Sequence, residues 1–183
     1  MTKLPLHDAQ ERFFLRYLGA VRAATGTLPL SEDDAERPPP CFVGAVDERG
    51  LRPWRPLRRT RPAGDFSSLE RCLGGALHPD LRAWFDRWCS LPVEGLCGEE
   101  TVVLGFAASD AELAVLLDAA SRSLAAHGEA REVSVPVAVF HDGRRVRAGN
   151  ASGRVWIVDA EGQERMIARS LIEFIDAVEP LPL

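Results

Sequence analysis

Four carboxylates, Glu32, Asp33, Asp34 and Glu36, fall within five consecutive positions of residues 28–41, LPLSEDDAERPPPC. Carboxylates at that density can exchange protons, ligate a hard cation or attract something basic. General acid–base work needs one group desolvated and tuned apart from its neighbour. A run of four acids beside three prolines offers no means of desolvating one of them. A calcium loop needs D-x-D-x-D-G spacing, which DDAE lacks. Attraction remains. Pro38, Pro39 and Pro40 fix φ and remove backbone donors, so they exclude regular helix and central strand. The segment is expected to be stiff and polyproline-like. It is read either as an acidic arm that meets a basic partner or as an ordinary solvated loop.

Other chemistry-bearing residues point away from catalysis. The cysteines, Cys41, Cys72, Cys89 and Cys97, form no C-x-x-C pair and no metal-ligand spacing with histidine. They are expected to be small buried hydrophobes. His7, His78, His127 and His141 are scattered. There is no G-x-S-x-G, no P-loop and no G-x-G-x-x-G after a strand. The expectation is a protein that is not an enzyme, with no cofactor and no metal. Arg55, Arg58, Arg59 and Arg61 crowd a proline-containing loop, suited to phosphate or anionic lipid head groups, or else solvated or paired with the protein's own acids. The net charge of −5 disfavours nucleic acid, whose binding rests on clustered positive charge. No apolar run reaches the roughly 18–20 residues of a membrane span, and the first residues lack a signal-peptide pattern. A cytoplasmic protein is expected, with any membrane association peripheral.

The elements that must position these residues read as one α+β domain spanning 1–183. An antiparallel twisted sheet with helices packed on it is expected. Residues 7–25 form an amphipathic helix carrying Phe14, Leu18 and Val21, stopped at Gly26. Residues 28–40 are a loop. Residues 41–46 (CFVGAV) read as a buried strand and 51–54 as its return, with 55–65 a loop. Short helices follow at 66–73 and 78–89, the second with Pro79 in its first turn. Leu81, Trp84, Phe85 and Trp88 share one face of it. They are core, or one tryptophan rims a binding groove, where aromatic anchors concentrate contact energy. Residues 93–97 and 101–106 are strands. Ser109-x-x-Glu112 is a capping box opening a helix to about Gly128. From 133 to 168 the pattern is an antiparallel meander, with Asp142-Gly143 a hairpin turn. Pro136 cannot donate to a ladder, so its strand is expected at an edge or to start near the proline. Ser170 caps a last helix, ended by Pro180 and Pro182.

Three stretches resemble the Syd family. They are Leu30-Ser31-Glu32 with its following acids and Pro38-Pro39-Pro40-Cys41; Asn150-Ala151-Ser152-Gly153-Arg154-Val155; and Leu171-Ile172-Glu173-Phe174-Ile175 followed by Pro180-Leu181. The element order matches in outline, while residues 47–100 depart from the family pattern. The resemblance implies a cytoplasmic protein, peripheral on the cytoplasmic side of the bacterial inner membrane, that binds the basic cytoplasmic loops of the translocase channel SecY through an acidic face. It implies a proofreading or negative regulatory role there. Glu32 is carried over on the matching motif, with Asp33 and Asp34 as neighbours. The wider superfamily, which includes immunity proteins and Smi1/Knr4-like proteins, implies the alternative of a toxin as partner.

Charge alone is too weak for either task. Exposed ion pairs contribute about 0.2–1 kcal/mol each, so four give roughly 1–4 kcal/mol, no better than millimolar. Apolar anchors are needed beside the acids. Trp54, Trp84 and Trp88 are the candidates, with Trp84 placed in the expected binding set alongside Glu32, Asp33, Asp34 and Glu36.

Overall fold

The computed structural model describes residues 5–32, 39–61, 64–126 and 133–182. Helix α1 (Pro5–Thr25) buries Leu6, Phe13, Phe14, Tyr17 and Val21, spaced to share one face. There follow β1 (Leu30–Glu32), β2 (Leu51–Pro53), β3 (Leu57–Arg58), α2 (Ser67–Leu73), α3 (Pro79–Asp86), β4 (Trp88–Cys89), β5 (Val93–Cys97) and β6 (Glu100–Leu104). Then come α4 (Asp110–Ala126), β7 (Ser134–Phe140), β8 (Arg145–Gly149), β9 (Val155–Val158), β10 (Glu164–Ala168), α5 (Leu171–Ala177) and β11 (Glu179–Pro180). This is the expected α+β fold: a seven-stranded antiparallel sheet with helices packed against it.

The sheet has the order β10-β9-β8-β7-β6-β5-β11, flanked by the two-stranded ribbons β1–β2 and β3–β4. From β5 to β10 each strand neighbours the next in sequence, with α4 inserted between β6 and β7. Side-chain alternation splits the sheet into two faces. Val93, Val102, Leu104, Ala138, Phe140, Val146, Ala148, Val155 and Ile157 point inward and join one core with α1, α3 and α5. An aromatic column runs through that core. The Trp84 and Phe106 rings stack with centroids 5.0 Å apart, and Phe14 contacts both Phe106 at 5.0 Å and Trp88 at 4.9 Å.

The caps are where the sequence placed them. Ser170 Oγ accepts from Glu173 N at 3.2 Å while Glu173 Oε2 accepts from Arg169 N at 2.8 Å. Ser109 Oγ accepts from Glu112 N at 3.1 Å, and Glu112 Oε2 reaches Ala108 N at 2.6 Å. Both are reciprocal capping boxes, with the carboxylate reaching one residue further back than the cap. His78 Nδ1 accepts from Asp80 N at 3.2 Å, so a histidine caps α3.

Several expectations are corrected. Residues 41–46 are not a strand. Pro39 and Pro40 deliver the chain to Cys41 in a turn, and only Phe42 bridges to Trp54. The strand that pairs with β2 is instead Leu30–Glu32, in register Leu30↔Pro53 and Glu32↔Leu51, so the start of the acidic stretch is extended and not loop. Helix α3 stops at Asp86, because Trp88–Cys89 turns to pair with Leu57–Arg58. β7 is internal: it pairs with β8 on one side and β6 on the other. Its proline is tolerated because β6 pairs only with residues 138–140, and the β8 ladder is irregular between Pro136 and Ala138. A bulge at the end of a pairing needs no donor from residue 136. Of the cysteines, Cys41 and Cys89 are buried against one another, Cys97 is half-buried and Cys72 is exposed. No helix among the described residues is long and apolar enough to cross a membrane.

Candidate partner-binding cleft

Trp84 is wholly buried, and its indole Nε1 donates to Gly105 O at 3.1 Å. Its ring is closed in by Phe106 and Phe174. The expectation that it rims a groove is therefore not met: no partner can touch it without unfolding α3. Its position on the apolar stripe of α3, facing the ends of β6 and α5, dictates this. Trp88 is likewise buried against Phe14. Glu32 is exposed on β1, where the two-residue period turns it outward. Asp33, Asp34 and Glu36 lie outside the described residues.

Beside β1 the surface opens into a cleft of about 280 Å³. Leu30 and Ser31 of β1 form one wall, with Tyr17 and Trp54 behind them; Glu94, Val103 and Leu181 form the other. Each side chain arrives for a local reason. Alternation in Val93-Glu94-Gly95 sends Val93 into the core and Glu94 to the opposite face. Val103 stands directly across from Glu94 on β6. Leu181 is brought in by the chain after β11, whose N–H donates to Glu94 O at 3.1 Å. Gly95 makes this approach possible: a Cβ there would lie 2.9 Å from Glu179 O. Trp54 packs against the Tyr17 ring at 5.8 Å.

The electrostatics are those of a partly desolvated acidic site. Burial, and then the Glu94 carboxylate, push the Tyr17 phenol up to about 12. Glu94 Oε2 lies 3.4 Å from His141 Nε2. The cleft thus sets a half-buried carboxylate beside the apolar surface of Leu30 and Leu181, over a floor made by the buried Tyr17 and Trp54. That is the pairing of charge and apolar anchor that specific recognition demands. Among the described residues no three His, Cys, Asp or Glu side chains gather as a metal site.

Glu94 and Leu181 were not singled out from sequence as binding residues. Glu94 had a signal: a lone acid alternating with apolar residues in a strand. Leu181 was marked only within the Pro180-Leu181 resemblance, because its place in the cleft depends on α5 returning the chain to the edge of β5.

The three stretches singled out in the sequence part company here. The first (Leu30-Ser31) and the third (Pro180-Leu181) meet at this cleft, although 150 positions separate them. The second serves the fold. Asn150 Oδ1 accepts from His78 N at 2.7 Å and its Nδ2 donates to Ala76 O at 3.1 Å, tying the β8–β9 turn to the start of α3. Gly153 has φ +67°, and a Cβ there would lie 2.8 Å from His78 Cε1.

Comparison with known proteins agrees with the family resemblance. The family model described as "Syd protein (SUKH-2)" matches residues 7–180. Protein Syd of Shewanella denitrificans is 27% identical over 179 residues, covering 94% of this chain and 81% of the relative. Protein Syd of Shewanella sp. strain MR-7 is 25% identical over 191 residues, covering 98% and 83%. Protein Syd of Yersinia pseudotuberculosis is 30% identical over 82 residues, covering 45% and 43%.

Proposed function

Since this chain belongs to the Syd family, we propose that it is a non-catalytic binding protein that holds basic segments of a protein partner, the cytoplasmic loops of SecY, in the cleft between β1 and β5. It acts there as a regulator or proofreader of the channel, peripheral on the cytoplasmic side of the inner membrane. The observation that carries the reading is the convergence at one cleft of two distant family stretches, Leu30-Ser31 and Pro180-Leu181, around the half-buried Glu94. A Lys or Arg entering the cleft would pair with Glu94, its alkyl stem lying along Tyr17 and Leu30. Glu32, exposed on the same strand as the cleft wall, supplies a further charge that speeds encounter more than it tightens the complex. Cytoplasmic loops of membrane proteins carry excess Lys and Arg, which suits them to such a site. A toxin is the other class of partner the superfamily suggests; no feature among the described residues favours it.

The test is titration of the full-length protein with peptides of the basic SecY loops, followed by calorimetry and by the summed fluorescence of its four tryptophans. Binding should weaken as salt rises, and Glu94→Gln should lower affinity about three- to tenfold, the effect of one partly desolvated ion pair. Glu32→Gln should act mainly on the association rate. Affinity unchanged by Glu94→Gln would remove the cleft from the mechanism.

A further inference from the structure

β1 pairs with β2 on one side only, and the hydrogen bonds around it fix which of its main-chain groups are left over. Trp54 N donates to Pro29 O at 2.9 Å, so residues 29 and 54 are a bonded pair. In an antiparallel ladder bonded pairs recur at every second residue. The next is therefore Ser31↔Arg52, and Leu30↔Pro53 and Glu32↔Leu51 are non-bonded pairs. β2 agrees from its far side. Pro53 O accepts from Val43 N at 2.8 Å, Leu51 O accepts from Asp47 N at 2.7 Å, and Leu51 N donates to Asp47 Oδ1 at 2.9 Å. The N–H and C=O of Leu30 and Glu32 thus point away from β2, and among the described residues none of these four groups has a partner. They border the cleft. Successive residues of a strand turn to opposite faces, yet Leu30 and Ser31 both line the cleft and no residue of β2 does. The cleft therefore runs along the free edge of β1, not over one face of it.

We propose that the partner's basic segment binds as an added β-strand, pairing its main chain with Leu30 and Glu32 along the free edge of β1. This rests on the reading of the cleft as a site for basic segments and fixes the conformation in which they are held. Strand addition to an exposed edge takes its affinity from main-chain bonds and its selectivity from alternate side chains. Charge decides the occupant. Glu94 stands on the opposite wall, Glu32 is exposed at the end of the edge, and the sequence continues past it with Asp33, Asp34 and Glu36. An edge so flanked by carboxylates takes a segment rich in Lys and Arg and repels an acidic one. The same charges protect the short edge from pairing with a second copy of itself. Main-chain pairing reads conformation before sequence. A basic loop that is free to extend is accepted, and a basic helix, whose N–H and C=O groups are already spent, is not.

The experiment is calorimetric titration of the full-length protein with a basic SecY-loop peptide and with a series of the same peptide N-methylated at one residue at a time. In either direction of the added strand, alternate peptide residues bond to the edge and those between turn their N–H groups outward. Affinity should therefore fall about tenfold or more at alternate positions and stay within about twofold at the positions between them, over the few residues that span β1. The protein supplies a second reading. Leu30→Pro removes a donor that makes no bond inside the molecule, and proline is accepted on an edge strand where the N–H faces solvent. It should weaken binding about three- to tenfold beyond Leu30→Ala, which removes the side chain and keeps the donor. Near-UV dichroism verifies that both variants are folded. A peptide that binds, loses affinity with Glu94→Gln, and yet is uniformly tolerant or uniformly intolerant of N-methylation overturns the strand addition and leaves the cleft reading standing. So does Leu30→Pro binding as well as Leu30→Ala. A protein that binds none of the basic peptides overturns the cleft reading, and the strand addition with it.

Discussion

The Leu30-Ser31 wall of the cleft and the turn at Asn150–Gly153 both belong to stretches that resemble one family, yet the fold uses them in opposite ways. At the turn the polar groups are consumed internally: both ends of the Asn150 amide bond to backbone beside α3, and Gly153 leaves room for the His78 ring. At the cleft the polar and apolar groups are left facing space, with Glu94 half-buried and Leu30 partly exposed. A motif whose hydrogen-bonding capacity is spent inside the molecule stabilises it. A motif left with unspent capacity on a partly desolvated surface is available for binding. The difference between the two is one of satisfaction, not of residue type.

The sharpest way to break this comparison is at Gly153. Replacing it with Val forces a β-branched residue into the left-handed region and a Cβ into the His78 ring, and should cost about 2–4 kcal/mol. Chemical denaturation would measure it, and native-state affinity for a partner should be unchanged once the variant is folded. Asn150→Ala comes next, removing two bonds and leaving His78 N and Ala76 O without that partner. The expected loss is about 1–3 kcal/mol in urea unfolding. A variant with normal stability but lost binding would make the turn a site and erase the distinction.

On the cleft side the effects on stability are small. Glu94→Gln should move the unfolding midpoint by no more than about 0.5 kcal/mol in free energy, while changing partner affinity as stated above. Tyr17 is the chain's single tyrosine, so its ionisation can be followed alone by ultraviolet absorbance. Its midpoint should fall at about 12 in the folded protein, against 10.0 for the ordinary phenol. With the folded pKa raised, the unfolded chain loses its proton first, so this contribution to stability declines as pH climbs from 10.0 toward 12. A phenol titrating at its ordinary value would show that the cleft is wet and its walls are not apolar anchors.

The smallest effect is at His7, whose pKa is lowered from 6.5 by burial first, then by Arg87 and Arg58. A depressed histidine is neutral in the folded state while the unfolded chain already takes up a proton. Its contribution is therefore complete above 6.5 and declines as pH falls from there through the lowered folded value. Urea midpoints measured on both sides of that window should show stability rising with pH, and His7→Gln should flatten the rise.

Much of the fold was legible because its signals are local. The capping boxes at Ser109 and Ser170 need only residues within four positions of each other. The Asp142-Gly143 turn is specified by its own dihedrals, with Gly143 at φ 89°. The α1 stripe follows from helical period alone. What escaped depended on partners distant in sequence. Cys41–Val46 and Leu30–Ser31 are both short and apolar, and only the position of β2 decided which would pair with it. Pro136 argued for an edge, but a proline is excluded from an inner strand only where a donor is required, and the neighbouring ladder ends before it. The candidate site was legible in part: the sequence pointed to Leu30-Ser31-Glu32 and to a need for apolar side chains beside the acids, and Trp54 lies under the cleft, though buried. Trp84 went to the core instead, because the face of α3 that carries it meets Phe106 and Phe174.

The sequence by itself determined the fold class, the family, most helix boundaries and the concentration of acid at residues 32–36, since composition, periodicity and capping act over a few residues at a time. Tertiary structure alone decided which of those residues face a partner. It carried Leu181 back to the edge of β5, turned Glu94 outward into a cleft with Tyr17, and closed Trp84 away from solvent. The physical reason is that exposure and desolvation are set by what packs against a side chain, and those neighbours lie up to 164 positions away, as Arg12 and Asp176 do.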